Sequence, residues 1–140
     1  MNFSKFNLAV VIPAYRTEKE ILAVLQGIPT FIRHIIVVDD ASPDSSADLV
    51  TAAAKKNRRI LLVRHAKNQG VGGAMVTGFK KALELGAEIV IKLDGDGQMD
   101  PQYIPALITP LITGEADYAK GNRFRDFDAL RQMPIVRRIG

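Results

Sequence analysis

Two aspartates stand one residue apart, Asp94 and Asp96, in the stretch IVIKLDGDGQMDP (Ile89–Pro101). Carboxylates this close repel each other unless a positive charge lies between them. A hard divalent cation is the usual answer, and oxygen ligands suit Mg2+ or Mn2+. Gln98, two residues on, offers a third oxygen. Gly95 and Gly97 let the backbone turn sharply and let a large ligand come near. An EF-hand is excluded, because counting from Asp94 the sixth position is Met99 and the twelfth Pro105, where Gly and Glu are required. The plain alternative is a surface turn rich in Asp and Gly. An apolar run leading straight into the pair argues against it.

Three other segments invite chemical readings. In VVDDASPD, a carboxylate at the end of a strand can accept hydrogen bonds from a base N–H or from ribose hydroxyls. One of Asp39 and Asp40 is expected to bind ligand and the other to shape the turn. NQGVGGAMVTG is glycine-rich but no Gly-Lys-Ser/Thr follows, so it is not a Walker A loop. Met75 stands where the dinucleotide fingerprint needs its third glycine, and the first strand leads into PAYRTEKE with no glycine at all. NAD or FAD binding is therefore not expected. These glycines are read as allowing close helix packing, with the helix N-terminus near a ligand. His34 and His65 lie far apart and are read as structural.

The elements that must position these residues alternate. LAVVIP (8–13), HIIVVDD (34–40), ILLVRH (60–65), EIVIKLD (88–94) and DYAKGNR (117–123) read as strands, and continuous apolar runs of this kind suit buried parallel strands. Thr17 and Glu20 have capping-box spacing before ILAVL. Ser42 and Pro43 read as N-cap and first residue of the helix in SADLVTAAAKK. VGGAMVTGFKKALELG is helical and ends on Gly86 as its C-cap. Asp100–Pro101 opens a further helix that Pro105 and Pro110 are expected to bend or interrupt. The alternation predicts an α/β fold, a mostly parallel sheet with helices on both faces. Right-handed crossovers then gather the strand C-termini, and the ligand, at one edge.

The chain has 140 residues and no cysteine, so disulfides and thiolate metal sites are excluded. No secretory leader and no membrane-spanning apolar run is seen, and a cytoplasmic domain is expected. The net charge of +4 sits wholly in residues 120–140, where six basic residues face two acidic ones. Such a cluster suits phosphates or an anionic membrane surface. It lacks the interleaved aromatic residues of a nucleic-acid platform, so no nucleic acid is expected.

Taken in order, VVIPAYRTEKEI, IIVVDDASPDSS, KNQGVGGAMVTGF, KLDGDGQMDP and KGNRF resemble GT-A-fold family 2 glycosyltransferases. The likeness is greatest to the branch that transfers sugars to polyprenyl phosphates. It covers nearly the whole chain. The resemblance implies a UDP- or GDP-sugar donor, with Pro13, Ala14, Tyr15 and Glu18 lining the base, Asp40 at the base or ribose, and Asn68 and Gly70 beside the nucleotide. It also implies that Asp94, Asp96 and Gln98 hold Mg2+ or Mn2+ on the diphosphate, with Arg123 near the phosphates. Transfer would invert the anomeric carbon. A lipid phosphate would be the acceptor, reached at the inner face of a membrane by peripheral association, and a growing cell-surface glycan is the other acceptor considered. Catalytic domains of this family run well past 200 residues, so residues 1–123 are read as the donor-binding domain and 124–140 as the start of an acceptor-side region. No catalytic base is assigned within the chain, and one is expected beyond Gly140. Two competing readings stand beside this one: a sugar nucleotidyltransferase, which lacks support because its glycine- and lysine-rich N-terminal loop is replaced by PAYRTEKE, and a non-catalytic nucleotide-binding module.

Overall fold

Leu8 to Ala14 has two sides to bury, and the fold gives it two helical layers. A computed structural model describes residues 2–97, 101–112, 118–120 and 135–138. Strand β1 (Leu8–Ala14) is central, with β2 (His34–Asp39) on one side and β4 (Ile89–Lys92) on the other, both parallel to it. β3 (Ile60–Arg64) extends the sheet beyond β2. β6 (Ile135–Arg138) pairs antiparallel with β4, and β5 (Tyr118–Lys120) antiparallel with β6, giving the order β3-β2-β1-β4-β6-β5. β5 thus runs in the same sense as the first four strands.

Alternate residues of the strands enter separate cores. Leu8, Val10, Ile12, Ile35, Val37, Ile89 and Ile91 face α1 (Ile21–Gly27), α2 (Ser46–Lys56) and α4 (Ile104–Ile112). Ala9, Val11, Ile36, Val38 and Val90 face α3 (Gly70–Glu84), through Ala74 and Ala82. Each fully buried Leu or Ile contributes roughly 1.5–3 kcal/mol before chain entropy is charged against it. α3 lies so close to the sheet that a Cβ on Gly78 would collide with Val11 Cγ1. Among the glycines of its motif, the packing role therefore falls to Gly78, while Gly70 supplies the left-handed turn at φ +78.

Pro13 sits in the central strand without cost. Val11 carbonyl accepts from Leu93 N–H, so odd-numbered residues of β1 present their backbone to β4. The β1–β4 ladder ends at Val11 and Lys92, and Pro13 lacks its N–H only beyond that end.

Two helix starts differ from the sequence reading. α1 begins at Ile21, and Thr17 supplies its carbonyl to Glu20 and Ile21 N–H, but no capping box forms. The Thr17 hydroxyl turns instead to Ser46 Oγ at 3.3 Å. α2 begins at Ser46, so Ser42 and Pro43 are not its cap and first residue. Asp44 Oδ1 takes the Ser46 N–H in their place. α4 runs from Ile104 through Pro110 to Ile112, so of the expected bend or interruption no interruption occurs there. β6 is a further strand that the sequence reading did not foresee, since residues 124–140 carried no strand assignment. Gly86 follows α3 at φ +77, with its N–H on the Leu83 carbonyl, as expected of its C-terminal turn.

Candidate functional site

The strand order reverses direction between β1 and β4, and a cleft of ≈ 180 Å3 opens there at the C-terminal edge. It is lined by Pro13, Ala14, Tyr15 and Thr17 after β1, Asp40 after β2, Val71 and Ala74 of α3, and Asp94, Gly95 and Asp96 after β4. Six of the predicted site residues therefore meet in one place: Pro13, Ala14, Tyr15, Asp40, Asp94 and Asp96. Gln98 and Arg123 lie outside the described residues, as does most of 124–140. Gly140 is also outside them, and so is the catalytic base expected to follow it.

A ladder between two loops holds the β1 side of the cleft. The N–H groups of Arg16, Thr17 and Glu18 donate to Ser42 Oγ (2.8 Å), Ser46 Oγ (3.0 Å) and Asp44 Oδ2 (3.3 Å). Arg16 reaches this arrangement with φ +55, a left-handed backbone that costs a non-glycine residue about 1 kcal/mol or more. Asp44 ties the acceptors together by taking the Ser42 and Ser46 hydroxyl protons. Burial alone would raise the Asp44 carboxyl, but the hydrogen bonds from Ser42, Ser46 and the Glu18 N–H outweigh it and hold it at about 2. Glu18 does not line the cleft. Its carboxylate accepts from Ser45 N–H at 3.0 Å, and Thr17 takes the place beside the cleft that sequence reading gave to Glu18.

Asp39 and Asp40 point to opposite faces of the sheet, as successive strand residues must. Asp40 Oδ1 accepts from Gln69 N–H at 2.8 Å and from His65 Nδ1 at 2.9 Å. His65 Nε2 meets Thr77 Oγ1 at 2.7 Å, and the Thr77 hydroxyl also reaches the Gly73 carbonyl. Burial would raise the Asp40 carboxyl, but the Gln69 N–H, the His65 ring and the nearby Gly70 N–H hold it below the usual carboxylate range. Asn68 Nδ2 donates to the Asp40 carbonyl and its Oδ1 accepts from Gly70 N–H. Asn68 and Gly70 thus shape the Asp40 side of the site without lining the cleft themselves. His65, read as structural from the sequence, proves to be a support of Asp40.

Asp39 is 1 % exposed, and neither carboxylate oxygen has a hydrogen-bond partner. Arg64 Nε stands 3.8 Å away, with its own side chain mostly in solvent. Burial pushes the Asp39 carboxyl up, and the approaching Ser42 N–H and Arg64 offset only part of this. Asp39 is thus turned away from the cleft and Asp40 faces it.

On the β4 side, Gly95 is buried so tightly that a Cβ there would lie 3.2 Å from Thr17 Cγ2 and 3.4 Å from Ile12 Cγ2. The close approach seats the loop on β1, and Gly97 turns it at φ +78. Asp94 is half-buried beside Lys92, whose Nζ lies 3.7 Å from Oδ1. Burial raises the Asp94 carboxyl, Lys92 opposes this, and Asp96 adds to the rise. A cation between Asp94 and Asp96 would relieve that repulsion, so the pair fits a hard divalent ion with oxygen ligands. No cluster of three acidic or histidine ligands occurs among the described residues, so such an ion would draw further oxygens from a residue such as Gln98, from its ligand or from water.

The sequence profile of glycosyl transferase family 2 matches residues 9–139. The chain belongs to this family. Its sequence is 33 % identical over 144 residues to the UDP-N-acetylglucosamine–dolichyl-phosphate N-acetylglucosaminyltransferase of Methanococcus voltae, covering 94 % of this chain and 57 % of that protein. It is 31 % identical over 136 residues to the polyprenol monophosphomannose synthase of Mycolicibacterium smegmatis, covering 93 % and 50 %. The chain therefore spans about half the length of the curated relatives it matches. The same fold is seen in the Pyrobaculum calidifontis mannosyltransferase PcManGT, solved in complex with GDP-Man and Mn2+. The match has a TM-score of 0.74 at 19 % identity and covers 95 % of this chain and 44 % of that one. S. aureus TarS (1–349) in complex with UDP superposes with a TM-score of 0.66 at 20 % identity, over 80 % and 34 %. These two likenesses establish the GT-A architecture expected from the sequence. No helix among the described residues is long and apolar enough to cross a membrane.

Proposed function

We propose that this chain forms the donor-binding half of an inverting, metal-dependent glycosyltransferase that moves a sugar from a nucleoside diphosphate to a polyprenyl phosphate. The observation that carries the reading is the meeting of Asp40, Asp94 and Asp96 in one cleft at the reversal of strand order. Asp40 would accept hydrogen bonds from a base or ribose, and Tyr15 and Val71 line the cleft with it. Asp94, Asp96 and Gln98 would hold Mg2+ or Mn2+, which when bound neutralises charge on the departing diphosphate. Arg123 would add a charge-assisted bond to the same phosphates. The relatives' names, which include dolichyl-phosphate and polyprenol-phosphate enzymes, support a lipid-phosphate acceptor. Such an acceptor is already anionic at neutral pH, so positioning and charge screening replace a strong general base. The basic residues of 120–140 suit that acceptor and peripheral attachment to the cytoplasmic face of its membrane.

The test is transfer of label from UDP- and GDP-sugars, with Mn2+, to polyprenyl phosphate in detergent. Labelled lipid supports the full reading. Donor binding without transfer confines this chain to the donor half. Failure to bind any nucleotide sugar refutes it.

A further inference from the structure

β4 ends on Lys92, whose ammonium stands beside the acidic pair. Ile89, Ile91 and Leu93 enter the core of α1, α2 and α4, and Val90 enters the core of α3. By the alternation of strand residues, Lys92 and Asp94 follow Val90 onto the α3 side. There Lys92 Nζ lies 3.7 Å from Asp94 Oδ1, with the two side chains only 16 % and 23 % exposed. An ammonium so far withdrawn from water needs an anion beside it. Among the described residues, Asp94 is the acidic group that pairs with it. The same carboxylate lines the cleft with Asp96, and it is one that a divalent ion would take.

We propose that Lys92 competes with the divalent ion for Asp94 and, once displaced, pairs with the diphosphate of the donor. The proposal rests on the donor-site reading above. Two cations that share one carboxylate repel each other, so each weakens the hold of the other. The long flexible stem of a lysine lets its ammonium swing from one anion to another. The anion that would arrive with the metal is the diphosphate. Asp94 and Asp96 together cancel the charge of a divalent ion, so the charge of the diphosphate is left to basic side chains. Lys92 is already at the site to meet it.

A lysine that merely held Asp94 in position would behave in the opposite way. Its removal would loosen the carboxylate and weaken metal binding. Removal of a competitor strengthens metal binding and weakens diphosphate binding, and a structural role does not produce that pair of opposite signs.

The experiment is calorimetric titration of the 140-residue chain and of Lys92→Met with Mn2+ alone, and then, at saturating Mn2+, with UDP and with GDP. Methionine keeps most of the stem and removes the charge. Lys92→Met is expected to bind Mn2+ alone about fivefold or more tighter than wild type, and to bind the nucleotide that wild type prefers about fivefold or more weaker. Mn2+ affinity that is unchanged or lower, or nucleotide binding that is undiminished, overturns the proposal. If wild type takes Mn2+ but neither nucleotide, the donor reading fails and the phosphate contact with it, while the Mn2+ comparison still decides whether Lys92 competes for Asp94. Binding of no Mn2+ by either protein refutes the metal site and this proposal together. Should Lys92→Met fail to fold, Lys92→Gln, also uncharged, gives the same two readings.

Discussion

Asp40 and His65, each the first residue after its strand, meet through Oδ1 and Nδ1 at 2.9 Å with both side chains 6 % exposed. The contact joins the cleft to α3, because the other ring nitrogen lies 2.7 Å from Thr77 Oγ1. One of the few acidic groups of the cleft is thus held by a residue that does not line it.

His65→Leu keeps most of the volume and deletes both hydrogen bonds. Burying Asp40 Oδ1 with one donor fewer should cost roughly 1–3 kcal/mol. Urea denaturation would report this as a lower midpoint with an unchanged slope. Nucleotide affinity should fall while Mn2+ affinity in the absence of nucleotide holds, since Asp94 and Asp96 are untouched. An unaltered midpoint would remove His65 from the account.

Asp44 and Asp39 predict opposite responses to acid. Asp44 is depressed in the fold to about 2, so its stabilising effect is complete above the ordinary value of 3.8 and is lost as pH falls from there toward 2. The stability difference between wild type and Asp44→Asn should be flat at neutral pH and shrink across that window. Asp39 is raised above 3.8, so its favourable contribution is present below that value and is lost as pH rises through its folded value. Asp39→Asn should therefore gain on wild type as pH rises toward neutrality. Denaturation midpoints of the three proteins across this range check both signs.

Gly78→Ala places a methyl group against Val11 Cγ1, under a helix that has no slack toward the sheet. Overpacking of this kind costs about 1–3 kcal/mol. Gly72→Ala, which meets nothing within 4 Å, is the control and should be neutral or slightly stabilising. Thermal melts of the pair distinguish close packing from a general intolerance of side chains in this helix.

Much of this was legible in the sequence because strands and ligand edge follow from pattern. Runs such as HIIVVD and LAVVIP are apolar on both faces and are buried on both faces. The carboxylates after them fall at the same edge by topology alone. The helix starts misled for a physical reason. Thr17 and Ser42 have the right types and spacing for caps, but their hydroxyls serve a loop-to-loop ladder with partners such as Ser46 and Arg16 that are distant in sequence. Glu18 was placed beside the ligand by the family resemblance, and nothing local in the sequence reveals its bond to Ser45 N–H. The His65 support was likewise invisible, because no spacing rule brings the end of β3 against the residue after β2. β6 escaped notice because IVRR lacks the long apolar run that marks the other strands, and its partners β4 and β5 lie far back in the chain.

The proposed role of Asp94 and Asp96 is to hold a cation that in turn holds a nucleoside diphosphate. Titration of wild type and Asp96→Ala with UDP and with GDP, each with and without Mn2+, decides it. Wild type is expected to bind at least one of the two only when Mn2+ is present. Asp96→Ala should lower that affinity by on the order of 100-fold or more, since losing a direct ligand should match or exceed the loss from removing an outer one. Mn2+-dependent binding of equal strength in Asp96→Ala would contradict the assignment of this pair as the metal site.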